Sequence, residues 1–205
     1  MKTSFLLIPL IFFASGLTAQ TDAIQVSQEP RHHKVLENTW VRVLDVRIPP
    51  GDTSLMHKHS TPSVFMVLSN TQTGSEAIVE PEKPVFNDGH VWFEGFYTTP
   101  RIHRVWNSGP IVFHVIDMEL LNPDPGELEA PLVADGLSIQ FDEKPVRAYR
   151  MELSPNTRMQ FPKRKKPVLV VGLVKGDFTY FPAGKPVRLA NVTNYPHPIA
   201  IYEFK

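Results

Sequence analysis

Two histidines one residue apart, in Gly51-Asp-Thr-Ser-Leu-Met-His57-Lys-His59, and a third far downstream in His103-Arg-Val-Trp-Asn107, are the side chains here best suited to chemistry. Residues i and i+2 of a β-strand point to the same face, so His57 and His59 stand side by side if their segment is extended. Two such imidazoles, joined by a third from another strand, can hold a divalent metal ion. The remaining histidines carry less. His114 alternates with apolar neighbours and reads as a satisfied core or cavity histidine. His90 follows Asn-Asp-Gly, a turn signal, and His197 lies between two prolines, so both read as exposed. His32 and His33 fall in a polar stretch and are expected to meet metal only adventitiously.

The elements that must position these residues are strands. Twenty prolines and eleven glycines punctuate short runs rich in β-branched residues. The runs are Val41-Arg-Val-Leu-Asp-Val-Arg-Ile48, Ser63-Val-Phe-Met-Val-Leu68, Pro110-Ile-Val-Phe-His-Val-Ile116, Val168-Leu-Val-Val171 and Ile199-Ala-Ile-Tyr202. Their lengths and breakers predict a sandwich or barrel. Past the N-terminus there is no long segment of helical period. A faint internal repeat places Val41–Pro50 over Val146–Pro155 and Pro62-Ser-Val-Phe-Met-Val over Pro167-Val-Leu-Val-Val-Gly, both at an offset of about 105 residues. Arg104-Val-Trp-Asn107 similarly matches Arg188-Leu-Ala-Asn191. Two barrel-like halves joined near Asn122-Pro-Asp-Pro-Gly126 would explain this. In that alignment Pro162 stands opposite His57, Arg164 opposite His59 and Val187 near His103, so only the first half would carry a metal site.

These residues resemble the two motifs of the cupin superfamily. In the first, Gly51, His57 and His59 match in type and spacing. In the second, Pro100, His103 and Asn107 match, with Ile102 where glycine is usual. The resemblance covers residues 38–120 well and the remainder weakly. It implies an all-β fold: a cupin antiparallel β-barrel, jelly-roll-like, with a second degenerate cupin-like half. It also implies a metal held by His57, His59 and His103 in the barrel mouth. Parity agrees, since Arg101, His103, Val105 and Asn107 share one face of their strand.

The family's glutamate would fall at Ser63 or Val64, and neither is acidic. Three explanations stay open: a three-histidine facial site like that of the cupins resembling cysteine dioxygenase, a carboxylate such as Glu94 reaching in, or a cavity that binds a ligand with weakened metal affinity. Three neutral imidazoles leave the metal's charge uncompensated, which favours an anionic substrate. Ser63, Phe65, Tyr97 and Arg101 are candidate substrate-pocket residues, with Arg101 able to meet a carboxylate bidentately. Trp92 and Trp106 read as packing residues. The expected ion is a divalent transition metal, Fe2+ first, with Ni2+, Mn2+ and Zn2+ as alternatives. The expected function is that of an exported metal-binding cupin, a mononuclear iron-type dioxygenase acting on a small organic molecule. The alternative is a non-catalytic cupin that binds or senses a small molecule. No Gly-x-Ser-x-Gly elbow and no phosphate-cradling loop occurs.

Met1-Lys-Thr-Ser4, the apolar run Phe5–Ala14 and Ala19 follow the order of a secretory signal peptide. The expected divisions are therefore a signal at 1–19, a loose lead-in at 20–34, the metal-bearing domain at 35–123, a linker at 124–145 and the degenerate half at 146–205. The expected location is periplasmic or secreted, with no stable membrane insertion after cleavage. The chain has no cysteine, so neither disulfides nor thiolate ligands are available. Lys+Arg and Asp+Glu number 21 each, which gives no reason to expect nucleic acid as a partner. The basic cluster Lys163-Arg-Lys-Lys166 reads as a solvated turn. A small-molecule ligand is the expected partner, and a homodimer is compatible with the sequence.

Overall fold

The structure, a computed structural model, describes residues 23–77, 87–122 and 129–205. The expected signal segment and residues 123–128 of the expected junction lie outside the described residues. The first half contains β1 (Ile24–Gln25), a short 3-10 turn (Val26–Gln28), β2 (His32–Glu37), β3 (Val41–Ile48), β4 (His57–His59), β5 (Ser63–Ser69), β6 (Thr73–Ala77), β7 (Val91–Glu94), β8 (Arg101–Asn107) and β9 (Phe113–Leu120). The second contains β10 (Ser138–Asp142), β11 (Val146–Leu153), β12 (Thr157–Lys163), β13 (Val168–Gly172), β14 (Phe178–Phe181), β15 (Pro186–Asn191) and β16 (His197–Phe204).

Each half is a pair of sheets. The first pairs β2-β3-β9-β5-β7 with β1-β4-β8-β6, and the second pairs β10-β11-β16-β13-β14 with β12-β15. Pairings are antiparallel except β1 with β4. The two five-stranded sheets pack on each other, and this explains the near-continuous apolar runs. In β3, Val41 and Val43 face the other half while Leu44, Val46 and Ile48 face the first barrel's interior. Likewise in β13, Leu169 and Val171 face the first half, and Val168 and Val170 face the second interior. A strand buried on both faces loses the polar alternation of a half-exposed one.

The repeat is real at the level of single hydrogen bonds. Asn107 donates from Nδ2 to the carbonyls of Ile48 (2.8 Å) and Ile111 (2.7 Å) and accepts from Gly109 N–H (2.9 Å). Asn191 donates to the carbonyls of Leu153 (2.9 Å) and Tyr195 (2.8 Å) and accepts from Thr193 N–H (3.0 Å). Both bracket the end of one strand to the loop that follows.

Several expectations need correcting. Residues 24–37 are no loose lead-in: β1 lies along β4, and β2 extends the large sheet on β3. Extended pairing satisfies the polar backbone there without an apolar sequence signal. The expected linker at 124–145 contains β10, paired with β11. Position 162 is not the counterpart of His57. His57 pairs with His103, four residues before Asn107, and Phe161 pairs with Val187, four residues before Asn191. Phe161 is thus the counterpart of His57 and Val187 that of His103. The register break between Phe161 and Lys163 accounts for the one-residue slip. His197 is half-buried at the start of β16. Arg164 is no freely solvated turn residue: its Nε lies 2.5 Å from the buried Glu203.

Candidate metal centre

β4 and β8 are adjacent strands, and their register sets His57 directly across from His103. Strand alternation puts His59 on the same inward face as His57, and all three are buried. His103 therefore arrives from the neighbouring strand rather than from a facing sheet. Ring centroids lie 5.0 Å apart for His57 and His59, 4.6 Å for His57 and His103, and 5.1 Å for His59 and His103. His59 Nε2 is 3.1 Å from His103 Nε2. Two imidazoles sharing an ion at ~2.1 Å with a right angle between them bring their nitrogens about 3 Å apart, which matches.

His32 also clusters with His57 and His59, while His103 meets the group through those two rings. Among the described residues, His32, His57 and His59 form a group whose ligand atoms all lie within 4.8 Å of one another. His32 comes from β2, is buried, and holds its ring centroid 4.7 Å from that of His57. The view of His32 as adventitious is corrected, whereas His33, read in the same way, is exposed and stands outside the clustered group. Nothing in the sequence marks His32 as inward-facing, because its own strand lacks apolar alternation.

The tautomers are set by the surroundings. His57 Nδ1 lies 2.8 Å from the Leu55 carbonyl, so that nitrogen carries the proton. His57 Nε2 is then a buried lone pair with no hydrogen-bond partner. Burial, with His59 and His32 alongside, pushes the His57 pKa down to about 3. A neutral imidazole with an inward, orphaned lone pair is what a divalent cation requires. His59 Nδ1 lies 3.4 Å from Asp117 Oδ2 on β9. Burial raises the Asp117 carboxyl to about 7. Asp117 was missed in sequence, although an acid interrupting the apolar run of β9 on its inward parity was the available signal. The donor set therefore fits a divalent transition metal.

The imidazoles open into a cavity of about 480 Å³. Val46, Phe65, Trp92, Phe113 and Val115 supply apolar walls, while Asn70–Ser75, Arg101 and Asp117 add polar groups. Phe65 thus takes the place expected of it, edge-on to His59 at 5.5 Å. Arg101 also lines the cavity, bonded to Glu94 and set over the Phe96 ring at 5.4 Å. Glu94 accepts from Trp92 Nε1 at 2.8 Å, so it braces the wall and is absent from the clustered ligand group. Ser63 is fully buried, donates to the Thr61 carbonyl at 3.0 Å and does not line the cavity. Tyr97 is corrected outright: it is 59% exposed and lies off the cavity wall. His114 is satisfied by Asp45 at 2.6 Å and His90 is exposed, both as read from the sequence.

Comparison with solved structures gives the class. AerE from Microcystis aeruginosa aligns with a TM-score of 0.55 at 12% identity, over 86% of this chain and 98% of that one. A single-site mutant of salicylate 1,2-dioxygenase from Pseudoaminobacter salicylatoxidans, in complex with gentisate, aligns with a TM-score of 0.51 at 12% identity, over 80% of this chain and 68% of that one. No family model matches the chain, and no curated protein sequence does. The chain has the cupin fold, in two halves, with a histidine cluster able to hold a metal in the first. No helix among the described residues is long and apolar enough to cross a membrane.

Proposed function

We propose that this chain is an exported metal-dependent cupin enzyme, a mononuclear dioxygenase acting on a small organic acid. The observation that carries this reading is the convergence of buried imidazoles on one side of a largely apolar cavity. His57, His59 and His103 would hold a divalent transition metal, iron(II) first, which when bound supplies Lewis acidity and a template for dioxygen and substrate. The chain's own residues do the rest. The Leu55 carbonyl fixes the ring of His57 from behind, and the Asp117 carboxyl lies 3.4 Å from His59 Nδ1. Phe65, Trp92 and Val115 give the cavity an apolar wall suited to a small organic substrate. Arg101 faces the same space and can orient a carboxylate, its guanidinium already aligned by Glu94. The uncompensated charge of an all-imidazole site also favours an anion. The likeness of the fold to salicylate 1,2-dioxygenase supports aromatic acids as the first substrates to try.

The test is elemental analysis of the purified mature protein, followed by oxygen uptake with a panel of aromatic, thiol and aliphatic acids. One bound metal with substrate-dependent uptake is expected. Binding of an acid without oxygen consumption would instead establish the second reading, a non-catalytic cupin that binds or senses a small molecule. The absence of an acid at Ser63 favours that alternative. For export, N-terminal sequencing of natively expressed protein is expected to start near Gln20 in a periplasmic or secreted fraction. Met1 retained in the cytoplasm would overturn it.

A further inference from the structure

The N-terminal segment brings more than backbone to the first barrel. Glu29, at the end of the short 3-10 turn, is 1% exposed, and its carboxylate makes three contacts that converge on the cluster. Oε2 is 2.7 Å from His32 Nδ1 and accepts from Arg31 N–H at 2.6 Å. Oε1 accepts from Leu55 N–H at 3.0 Å. Leu55 is the residue whose carbonyl takes the His57 Nδ1 proton. One carboxylate therefore fixes His32 directly and His57 through the backbone of Leu55, which bonds Glu29 by its N–H and His57 by its carbonyl. The buried carboxylate has a donor on each oxygen, Leu55 N–H on Oε1 and Arg31 N–H with His32 Nδ1 on Oε2.

Resting on the metal-centre reading above, we propose that His32 is a fourth protein ligand of the metal, oriented by Glu29. The pair takes over the part that the missing acid of the first motif would play, with the ligand atom an imidazole nitrogen and the negative charge one bond network further out. Three observations support this. First, the His32 Nδ1 proton is committed to Glu29, which leaves Nε2 as its metal-competent atom. Secondly, His32 offers a ligand atom within 4.8 Å of those of both His57 and His59. Thirdly, rings sharing one ion at ~2.1 Å have centroids about 4.5–6.5 Å apart. The five ring pairs in contact among His32, His57, His59 and His103 fall between 4.6 and 6.3 Å. A histidine packed merely for stability needs its Glu29 bond and nothing more.

The experiment is X-ray absorption at the zinc edge of the full mature protein loaded with Zn2+, with affinity measured by chelator competition. Wild type is expected to bind one zinc with four imidazoles in its shell. His32→Ala is expected to show three, with affinity weakened by about 100-fold or more. Glu29→Gln should keep four and weaken binding by about 10- to 100-fold, the scale for losing an orienting partner. His90→Ala should change neither. Wild type with one zinc and three imidazoles, and His32→Ala with unaltered affinity, would overturn the fourth ligand while leaving the metal centre standing. Wild type that takes up no zinc at all would sink the centre itself. Should His32→Ala fail to fold, the imidazole count of the wild type still decides.

Discussion

The two halves of this chain are one architecture with two interiors. Their equivalent strands carry the same asparagine bracket, at Asn107 and Asn191. They also carry the same rim ion pair, Arg42 with Glu119 at 2.7 Å and Arg147 with Glu203 at 3.6 Å. Inside, the correspondence stops. Phe161 and Val187 face each other where His57 and His103 do. Ile201 lies across from Val170 as Asp117 lies across from Phe65. The second interior is closed by apolar contacts, and Phe161, Val187 and Ile201 are all buried. The first holds a cavity of about 480 Å³ among buried imidazoles and a buried carboxyl. The fold therefore stands without the polar cluster. Buried imidazoles and a buried acid cost stability unless something binds them, so the comparison argues for a ligand site rather than a staple.

The largest expected effect comes from exchanging the interiors. His57→Phe together with His103→Val should abolish metal binding, because half of the imidazole set is gone. It should leave the metal-free melting temperature unchanged or higher. The reciprocal pair, Phe161→His with Val187→His, should destabilise by about 3 kcal/mol or more, since it trades packed apolar volume for unsatisfied nitrogens. It should gain no metal. Lys163, paired with Pro186, matches Lys58, paired with Ile102, so Arg164 follows in the place of His59. Metal analysis and calorimetry of the two double variants check both directions. A second half that takes up a metal after the exchange would show that two imidazoles at these positions suffice, and would refute the need for further ligands.

A smaller effect should be shared by the halves. Asn107→Ala and Asn191→Ala each leave two carbonyls without their donor, and each should cost about 2–3 kcal/mol by denaturant melts. Only Asn107→Ala should also weaken metal binding, because Asn107 ends the strand that carries His103. Costs that differ severalfold would show that the two brackets are not equivalent.

Much of this was legible in the chain, for identifiable reasons. The strands of the two large sheets were visible because burial on both faces makes stretches such as Val64–Leu68 and Val168–Gly172 apolar throughout. His57, His59 and His103 stood out because a fixed spacing is a local property. The duplication was visible too, except for its one-residue slip at Phe161, where an irregular register shifts the count. His32, Glu29 and Asp117 were not found, because their significance is non-local. Glu29 reaches Leu55 across 26 positions, and Asp117 meets His59 only through the barrel. Tyr97 failed for the converse reason: nearness in sequence to the second motif says nothing about which way a loop residue turns.

The mildest test of the contrast is acid. The folded-state pKa of His57 lies at about 3, below the ordinary histidine value of 6.5, chiefly because of burial. A histidine with a depressed folded pKa stays neutral in the native state while the unfolded chain takes up a proton. Above about pH 6.5 both states are neutral at this position and it adds no pH dependence. Below that, unfolding is favoured progressively as the pH falls toward 3, with a limiting slope of about 1.4 kcal/mol per pH unit. Phe161, its counterpart, cannot contribute. Metal-free wild type should therefore lose on the order of 1 kcal/mol more stability between pH 6.5 and 5.5 than His57→Phe does, read as melting temperatures in excess chelator. A metal saturating the site should raise stability without removing this difference, since the bound ion also keeps the imidazole unprotonated in the native state while the unfolded chain still takes up the proton. Parallel pH profiles for the metal-free wild type and His57→Phe would mean that His57 is protonated in the folded chain. The first interior would then be wetter than its burial implies.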